Sequence, residues 1–343
     1  MVYKLPRRAV LGVLGGGRLP FNDEFNRDDG SVGNGWIGTG TISSNALTIT
    51  PTVGADLFDV GKGTFDSGVN DWVAFGTNLV ENDAGELKIT YVDNGAGAYC
   101  EFQATKVLTS NLTVGQWYRL QVSMRVNAGA SMRLNVGPTA GTTGFITSTE
   151  AVTVIIDFLA TTATGHAISL VNMGAGEIVW LDNITLKPIT LSTMILTRPP
   201  TSSSVNGKVA TTNGVQDVTP VGYIGWIDNS ASPAYYLAAV FTGPPFGNAE
   251  LWQVLNGIPT RLIAVSTARI PGGVIEIRRT TPTTYQLWYG GAQIGTDQTI
   301  SDANLINNTI QGVLSTSGGN SLDSFFYSVP PSVEAPVSYL GGS

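Results

Sequence analysis

Cysteine is nearly absent from this chain. Cys100 is the only one in 343 residues, so no disulfide can form within it. Secreted folds of this size often carry one, and its absence points to a chain that matures in a reducing cytoplasm. Histidine is as scarce: His166 stands alone and, with one distant cysteine, cannot make a zinc site. Only 13% of the residues are charged and the net charge is −7, which leaves no basic face for a general nucleic-acid binder. No stretch approaches the ~20 apolar residues of a membrane-spanning helix, so membrane insertion is not expected. Amphipathic helices beyond about ten residues are missing too. "ISDANLINNTI" offers one turn at most.

What is abundant is glycine, at 42 residues, with many Thr, Val and Asn. This is a β-sheet composition rich in turns. "YRLQVSMRV" (Tyr118 to Val126) alternates apolar and polar without a fault, as a half-buried antiparallel strand does. "ELKITYV", "MRLNV", "VTVIIDF", "AYYLAAVF", "VIEIRR" and "TYQLWY" behave similarly. Short strands separated by Gly, Asn, Asp and Pro predict an all-β chain of antiparallel β-sandwich, jelly-roll domains.

Two strands share an odd feature. In "WLDNITLKP" Asp182 is in phase with Ile184 and Leu186, and in "LDSFFYSVP" Asp323 is in phase with Phe325, Tyr327 and Val329. Each has an opening partner upstream: "GTFDSGVNDW" for the first, "FNDEFNRDDGSVGNGW" for the second. The order open, open, close, close predicts one sandwich inserted in another. The expected units are a docking arm over 1–19, an outer sandwich over 20–55 and 190–330, an inner jelly roll over 56–189 and a tail over 331–343. Two tandem domains with a short leading hairpin over Phe21–Pro51 are the alternative.

The inner segment, Lys62 to Pro188, resembles the family 4 and 9 group of carbohydrate-binding modules in its ordered "GTFDSGVNDW", "GELKIT", "GQWYRLQVSMRV" and "IVWLDNITL". The outer pieces resemble concanavalin-like (laminin-G-like) sandwiches in "DEFNRDDGSVGNGW", in the aromatic strands from Tyr235 to Tyr289 and in "IQGVLSTSGGNSLDSFFYSV". "YKLPRRAVLG" ahead of a sugar-module sandwich looks like the start of many bacteriophage virion proteins. These resemblances imply a non-enzymatic virion structural protein (fibre, decoration or tail component) that contacts polysaccharide. The alternatives are a free lectin-like protein and a diverged depolymerase. They also imply a homo-oligomer, a trimer favoured, at the outer surface of a particle assembled in the host cytoplasm. The apolar run Ala9–Leu14 is shorter than the ~7–15 residues of an export-signal core, so no export signal is expected.

The first resemblance implies a structural calcium. Asp182 sits where that family places a ligand, with carbonyls around Gly63 and Phe65 completing the set; calcium takes about 6–8 oxygens and accepts backbone donors. The alternative is an aspartate that caps backbone amides at a bulge, with no metal. Asp323 has the same two readings. No cofactor is required by either.

Catalysis finds little support. The laminarinase-like enzymes carry Glu-x-Asp-x-x-Glu on one strand, and no such triplet occurs here. Glu276 in "VIEIRR" stands beside Arg278 on the same parity and reads as a surface ion pair. His166 lacks the neighbours of a nucleophile's base. "GVLGGG" lacks the Lys-Ser/Thr of a phosphate loop.

Binding is better served. Trp117, Arg119, Gln121, Ser123 and Arg125 share the outward parity of one strand, opposite the core strip Tyr118, Leu120, Val122 and Met124. Aromatic, guanidinium and amide groups together suit a sugar's C–H faces and hydroxyls. Tyr91 and Tyr99 flank the loop "VDNGAGA" as its rim. The competing expectation for the strip is a solvated or assembly-facing surface. Tyr223, Trp226, Tyr235 and Tyr236 form a second aromatic group, divided between core packing and subunit contacts. Lys4, Arg7, Arg8 and Arg18 precede any acid, and such an arm suits docking onto other virion proteins.

Overall fold

The computed structural model describes residues 21–33, 35–92, 98–101, 104–137, 143–190, 192–196, 200, 203–212, 218–228, 233–243 and 246–328. Among them the strands form four antiparallel sheets of nine, seven, six and four strands, and the one α-helix is Ala303–Ile306. The chain is therefore all-β, and the alternation of its sequence accounts for this. Along Trp117–Val126, for example, the even positions Tyr118 to Val126 are all buried and Arg119 to Arg125 only partly so.

Strand pairing follows the order of the sequence only in part. Phe21–Asp23 pairs with Ser321–Ser328, with Phe21 opposite Tyr327. Trp36–Ile37 pairs with Ser192–Leu196, and Leu47 lies opposite Leu322. The strands between them, Val73–Ala74 to Ile178–Thr190, make up the six- and four-stranded sheets, joined by Thr52–Val53 on the end of Ile178–Thr190.

Three buried clusters hold these sheets together. The nine- and seven-stranded sheets enclose Phe25, Trp36, Tyr223, Trp226, Leu287 and Phe325. The six- and four-stranded sheets enclose Cys100, Leu120, Leu134, Phe158, Ile168 and Leu181. The third cluster lies between the two sandwiches. Trp117, Leu159 and Ile189 from the six-stranded sheet meet Ile224, Val240, Trp252 and Leu314 from the seven-stranded one. Each fully buried large apolar side chain contributes about 1.5–3 kcal/mol, so this third cluster fixes the sandwiches against each other.

Both odd aspartates sit at β-bulges. Gln121 is opposite Thr185 but Ser123 is opposite Asp182, so two residues, Asn183 and Ile184, oppose Val122 alone. Asn183 takes a left-handed backbone (φ 50°), which asparagine tolerates better than most residues. The extra residue flips parity: Val179 and Leu181 are buried before it, Ile184 and Leu186 after it, and Asp182 falls on the opposite face from Ile184. Asp323 is likewise the extra residue between Leu322, opposite Thr211, and Ser324, opposite Ala210. Neither carboxylate lies in phase with the apolar side, which corrects the parity read from the sequence. A third bulge sits at Trp226, between Gly225 opposite Gln311 and Ile227 opposite Ile310. It turns the indole into the core between the nine- and seven-stranded sheets, while Ile224 and Ile227 join the cluster that meets the six-stranded sheet.

His166 is fully buried beside Phe158, with ring centroids 5.3 Å apart. Burial lowers its pKa, against the opposing pull of the Gly137 and Thr162 carbonyls. The unfolded chain thus takes up a proton more readily than the folded one. The stability this residue supplies is intact above the unfolded value of ~6.5 and is lost as pH falls through that value toward the folded one. We expect His166→Leu to flatten the fall in thermal midpoint between about pH 7 and pH 5. The comparison isolates the histidine, because the Asp182 and Asp323 carboxyls, pushed up chiefly by burial, change stability in the opposite sense. An unchanged slope in the variant would remove His166 from the acid response.

Candidate functional site

The inner strip splits in two. Trp117 is 7% exposed and belongs to the cluster between the sandwiches. Arg119 donates from Nε and Nη2 to the two oxygens of Asp157, at 2.8 and 2.9 Å, and from Nη2 to the Thr316 carbonyl at 2.6 Å. These two residues are therefore joints, not sugar contacts: parity put them on the outward face, and the seven-stranded sheet covers that face. Gln121, Ser123 and Arg125 remain half-buried beyond the covered end. Arg125 pairs with Glu86 at 2.5 Å and lies over the Trp180 ring, 4.1 Å from its centre. Trp180 donates to Asp83 at 2.9 Å. The arginine of this remnant is thus engaged with Glu86 and Trp180 on its own sheet.

The expected rim fares similarly. Tyr91 is 1% exposed and donates its hydroxyl to the Leu170 carbonyl at 3.1 Å, so it is a core residue. Tyr99 lies on the strand Ala98–Glu101 opposite Ser169 and Val73; its side chain falls outside the described residues. So do Lys4, Arg7, Arg8 and Arg18. Tyr223 and Trp226 are fully buried, while Tyr235 and Tyr236 are half-buried.

For a cation the donor set implied by the resemblance fits poorly. The Gly63 carbonyl accepts from the Ile184 amide at 2.8 Å, and the Phe65 carbonyl accepts from the Asn82 side chain. Asp182 accepts from Asn183 Nδ2 at 2.8 Å. Its pKa is raised chiefly by burial, with Glu86 and Asp66 adding to the shift. Among the described residues no group of three acidic, His or Cys side chains could hold a metal ion. A depression of about 290 Å³ does lie beside the bulge, lined by Asp56, Asp59, Gly63, Thr64 and Asn183 among others. Asp56 there accepts from the amides of Phe58 and Leu186, at 3.2 and 2.9 Å.

A different face carries the chemistry sought on the inner strip. Across the nine-stranded sheet the pairing aligns Asn22 with Phe326, Phe326 with Lys208, Lys208 with Glu276, Glu276 with Trp288, and Trp288 with Gln293. Six strands thus contribute one residue each to a single row. All six lie on the parity opposite the buried Tyr327, Val209, Ile275, Ile277, Leu287 and Tyr289, and are exposed or half-buried. At about 4.8 Å between strands, the row spans roughly 24 Å. Its cations lie on its aromatics: Lys208 Nζ is 4.9 Å from the centre of the Phe326 ring, and Arg278 is 3.6 Å from that of Trp288. Arg278 also pairs with Glu276 at 2.9 Å, the ion pair expected from the sequence. Beside the row, Asp297 accepts from the amides of Gln286 and Gln293, at 2.9 and 2.8 Å, and Trp288 donates to Gln286 at 3.0 Å. Two aromatic side chains, two cations, two carboxylates and three amides share one solvent face. The local signal was the polar parity of "VIEIRR" and "TYQLWY"; their alignment with residues 22, 208 and 326 was not visible in sequence.

The fold and this face define an all-β protein of antiparallel sandwiches with a polar, aromatic-bearing outer sheet. No family model and no curated protein matches the chain. Among solved structures it is similar to a xylan β-1,4-xylosidase from Bacillus halodurans C-125, at 13% identity and a TM-score of 0.31 over 40% of this chain and 30% of that one. It is also similar to the N-terminal CBM22-1–CBM22-2 tandem domain of Paenibacillus barcinonensis Xyn10C, at 8% identity and a TM-score of 0.32 over 82% and 98%. The structure of BuGH16Bwt gives 7% identity and 0.29 over 86% and 94%. Likenesses of this size carry no argument about activity.

Proposed function

We propose that the chain is a carbohydrate-binding protein and that an extended polysaccharide lies along the row from Asn22 to Gln293. The row itself carries the reading. Aromatic faces match the C–H surfaces of sugar rings, and the flanking amides, ammonium, guanidinium and carboxylates match their hydroxyls. The charges of Lys208 and Arg278 balance those of Glu276 and Asp297, so a neutral glycan suits the face better than a polyanion. Binding without turnover is the companion proposal. Glu276 is held by Arg278 and Asp297 by two glutamine amides, which favours fixed acceptors over the acid and base pair of a glycosidase.

A panel of immobilised neutral and acidic polysaccharides in affinity electrophoresis tests both. The parent chain should be retarded by at least one neutral glycan, and Trp288→Ala should lose roughly 2 kcal/mol of that binding, about 30-fold. No reducing ends should appear. Retardation unchanged by Trp288→Ala would move the site elsewhere. A virion surface is the proposed setting, and it rests on the likeness of "YKLPRRAVLG" alone; labelling intact particles with antibody to the chain tests it.

A further inference from the structure

We propose that the glycan face accepts a polysaccharide branched along one edge and excludes branches from the other. The inference rests on the reading of the row as a polysaccharide site and concerns what flanks that row. Side chains two residues apart on a strand share a face and stand about 6.8 Å from each other. Each inner strand of the row therefore adds a neighbour on either side of it. On one side these are Ser328, Asn206, Arg278 and Gln286. Ser328 lies opposite Asn206, and Arg278 opposite Gln286. Asn206 comes one step before Gly207, which lies opposite Ile277, so register brings 206 and 278 together. The Asn206 side chain accepts from the Arg279 amide at 2.9 Å, which fixes its place. All four are half-buried and all carry hydrogen-bonding groups.

The opposite flank is different. Ser324 lies opposite Ala210, and Ala210 opposite Val274. One hydroxyl and two sets of methyl groups stand there. Asp323, next along from Ser324, is engaged by Thr212 and Ser321. Past Val274 the strands that carry Glu276 and Trp288 turn away through Gly272 and Gly290–Gly291, which are exposed and project no side chain. The Gly290 amide donates to the Val274 carbonyl at 3.0 Å, so this glycine turn borders the flank directly. A sugar chain laid on Phe326 and Trp288 thus has one edge over amides and a guanidinium, and the other over methyl groups and bare turns. A branch on the first edge would part the chain's hydroxyls from Asn206, Arg278 and Gln286 and leave those groups desolvated and unpaired. A branch on the second edge breaks no such bond and leaves across the glycine turns. In an extended β-1,4 chain successive rings turn over, so branches on alternate rings project from the same edge. The ligand class is therefore a neutral backbone with sparse branches, not one branched at every ring.

The test is titration calorimetry of the full chain with β-1,4-mannan and β-1,4-glucan backbones, each unbranched and with single-sugar branches at low and at high density. For the backbone that binds, the lightly branched chain should match the unbranched one within about threefold, and the densely branched chain should bind at least roughly tenfold more weakly. Val274→Phe builds a wall on the open flank. It should lower affinity for the lightly branched chain roughly tenfold more than for the unbranched one. Equal affinity at every branch density, or loss of binding at low density, overturns the inference and leaves the polysaccharide reading to the Trp288→Ala result. So does a Val274→Phe variant that weakens branched and unbranched chains alike. Failure to bind either backbone counts against the reading itself and this inference with it.

Discussion

Arg119→Leu should destabilise the protein by about 3–5 kcal/mol, the usual loss when one partner of a buried ion pair is removed. The Asp157 side chain is fully buried and Arg119 only 15% exposed. Without the guanidinium, a buried carboxylate stays in the joint between sandwiches stripped of its ion pair with Arg119, and the Thr316 carbonyl loses that donor. Removing both charges is a different matter. Arg119→Leu with Asp157→Leu leaves nothing charged to desolvate, and such replacements are often neutral or stabilising. The double variant should recover most of the single variant's loss in urea denaturation. Equal losses in single and double variants would mean that the pair's geometry, not its charge balance, holds the joint.

Trp226→Ala should cost about 3–5 kcal/mol, the range for deleting a buried large aromatic. The indole stands edge-on to Tyr285, with ring centroids 5.1 Å apart, and donates to the Ser203 carbonyl at 2.9 Å. Its backbone adds a finer test. Glycine in an ordinary strand is less stable than alanine by about 0.5–1 kcal/mol. At Trp226 φ is 53°, a left-handed conformation that costs a residue with a Cβ roughly 1–2 kcal/mol. The usual order should therefore reverse, with Trp226→Gly at least as stable as Trp226→Ala. Alanine clearly ahead of glycine would argue against the bulge at this position.

The strands were legible because alternation is a local property. Tyr118, Leu120, Val122 and Met124 could be assigned to a core from ten residues of sequence, and all four are buried. The partnership of Phe21–Asp23 with Ser321–Ser328 was legible as an opening segment and an aspartate-bearing closing strand set around another such pair. Of the bulges, those beside Asp182 and at Asp323 stood as one of two readings of an oddly phased aspartate, and the one at Trp226 left no mark in the sequence. Parity counting assumes an unbroken register, and one inserted residue at Asn183, Trp226 or Asp323 reverses every later assignment on that strand. The oddly phased aspartates were the visible trace of two of them.

The site was harder to read for a separate reason. Trp117 and Arg119 do face away from the core strip of their strand, as their parity implies, but outward from one sandwich proved to be inward to the joint with the next. The row on the nine-stranded sheet draws on positions 22, 208, 276, 288, 293 and 326, and only strand register brings them into line. Nothing in the immediate neighbourhood of Lys208 or Phe326 marks either as a member.

A crystal structure of the protein soaked with an oligosaccharide from a glycan that it retains tests the central claim most directly. Sugar density should lie across the nine-stranded sheet, with pyranose faces against Trp288 or Phe326 and hydroxyls within hydrogen-bond reach of Lys208, Arg278 or Gln293. Density on the six-stranded sheet beside Trp180 and Arg125 instead, with the outer row bare, would contradict it.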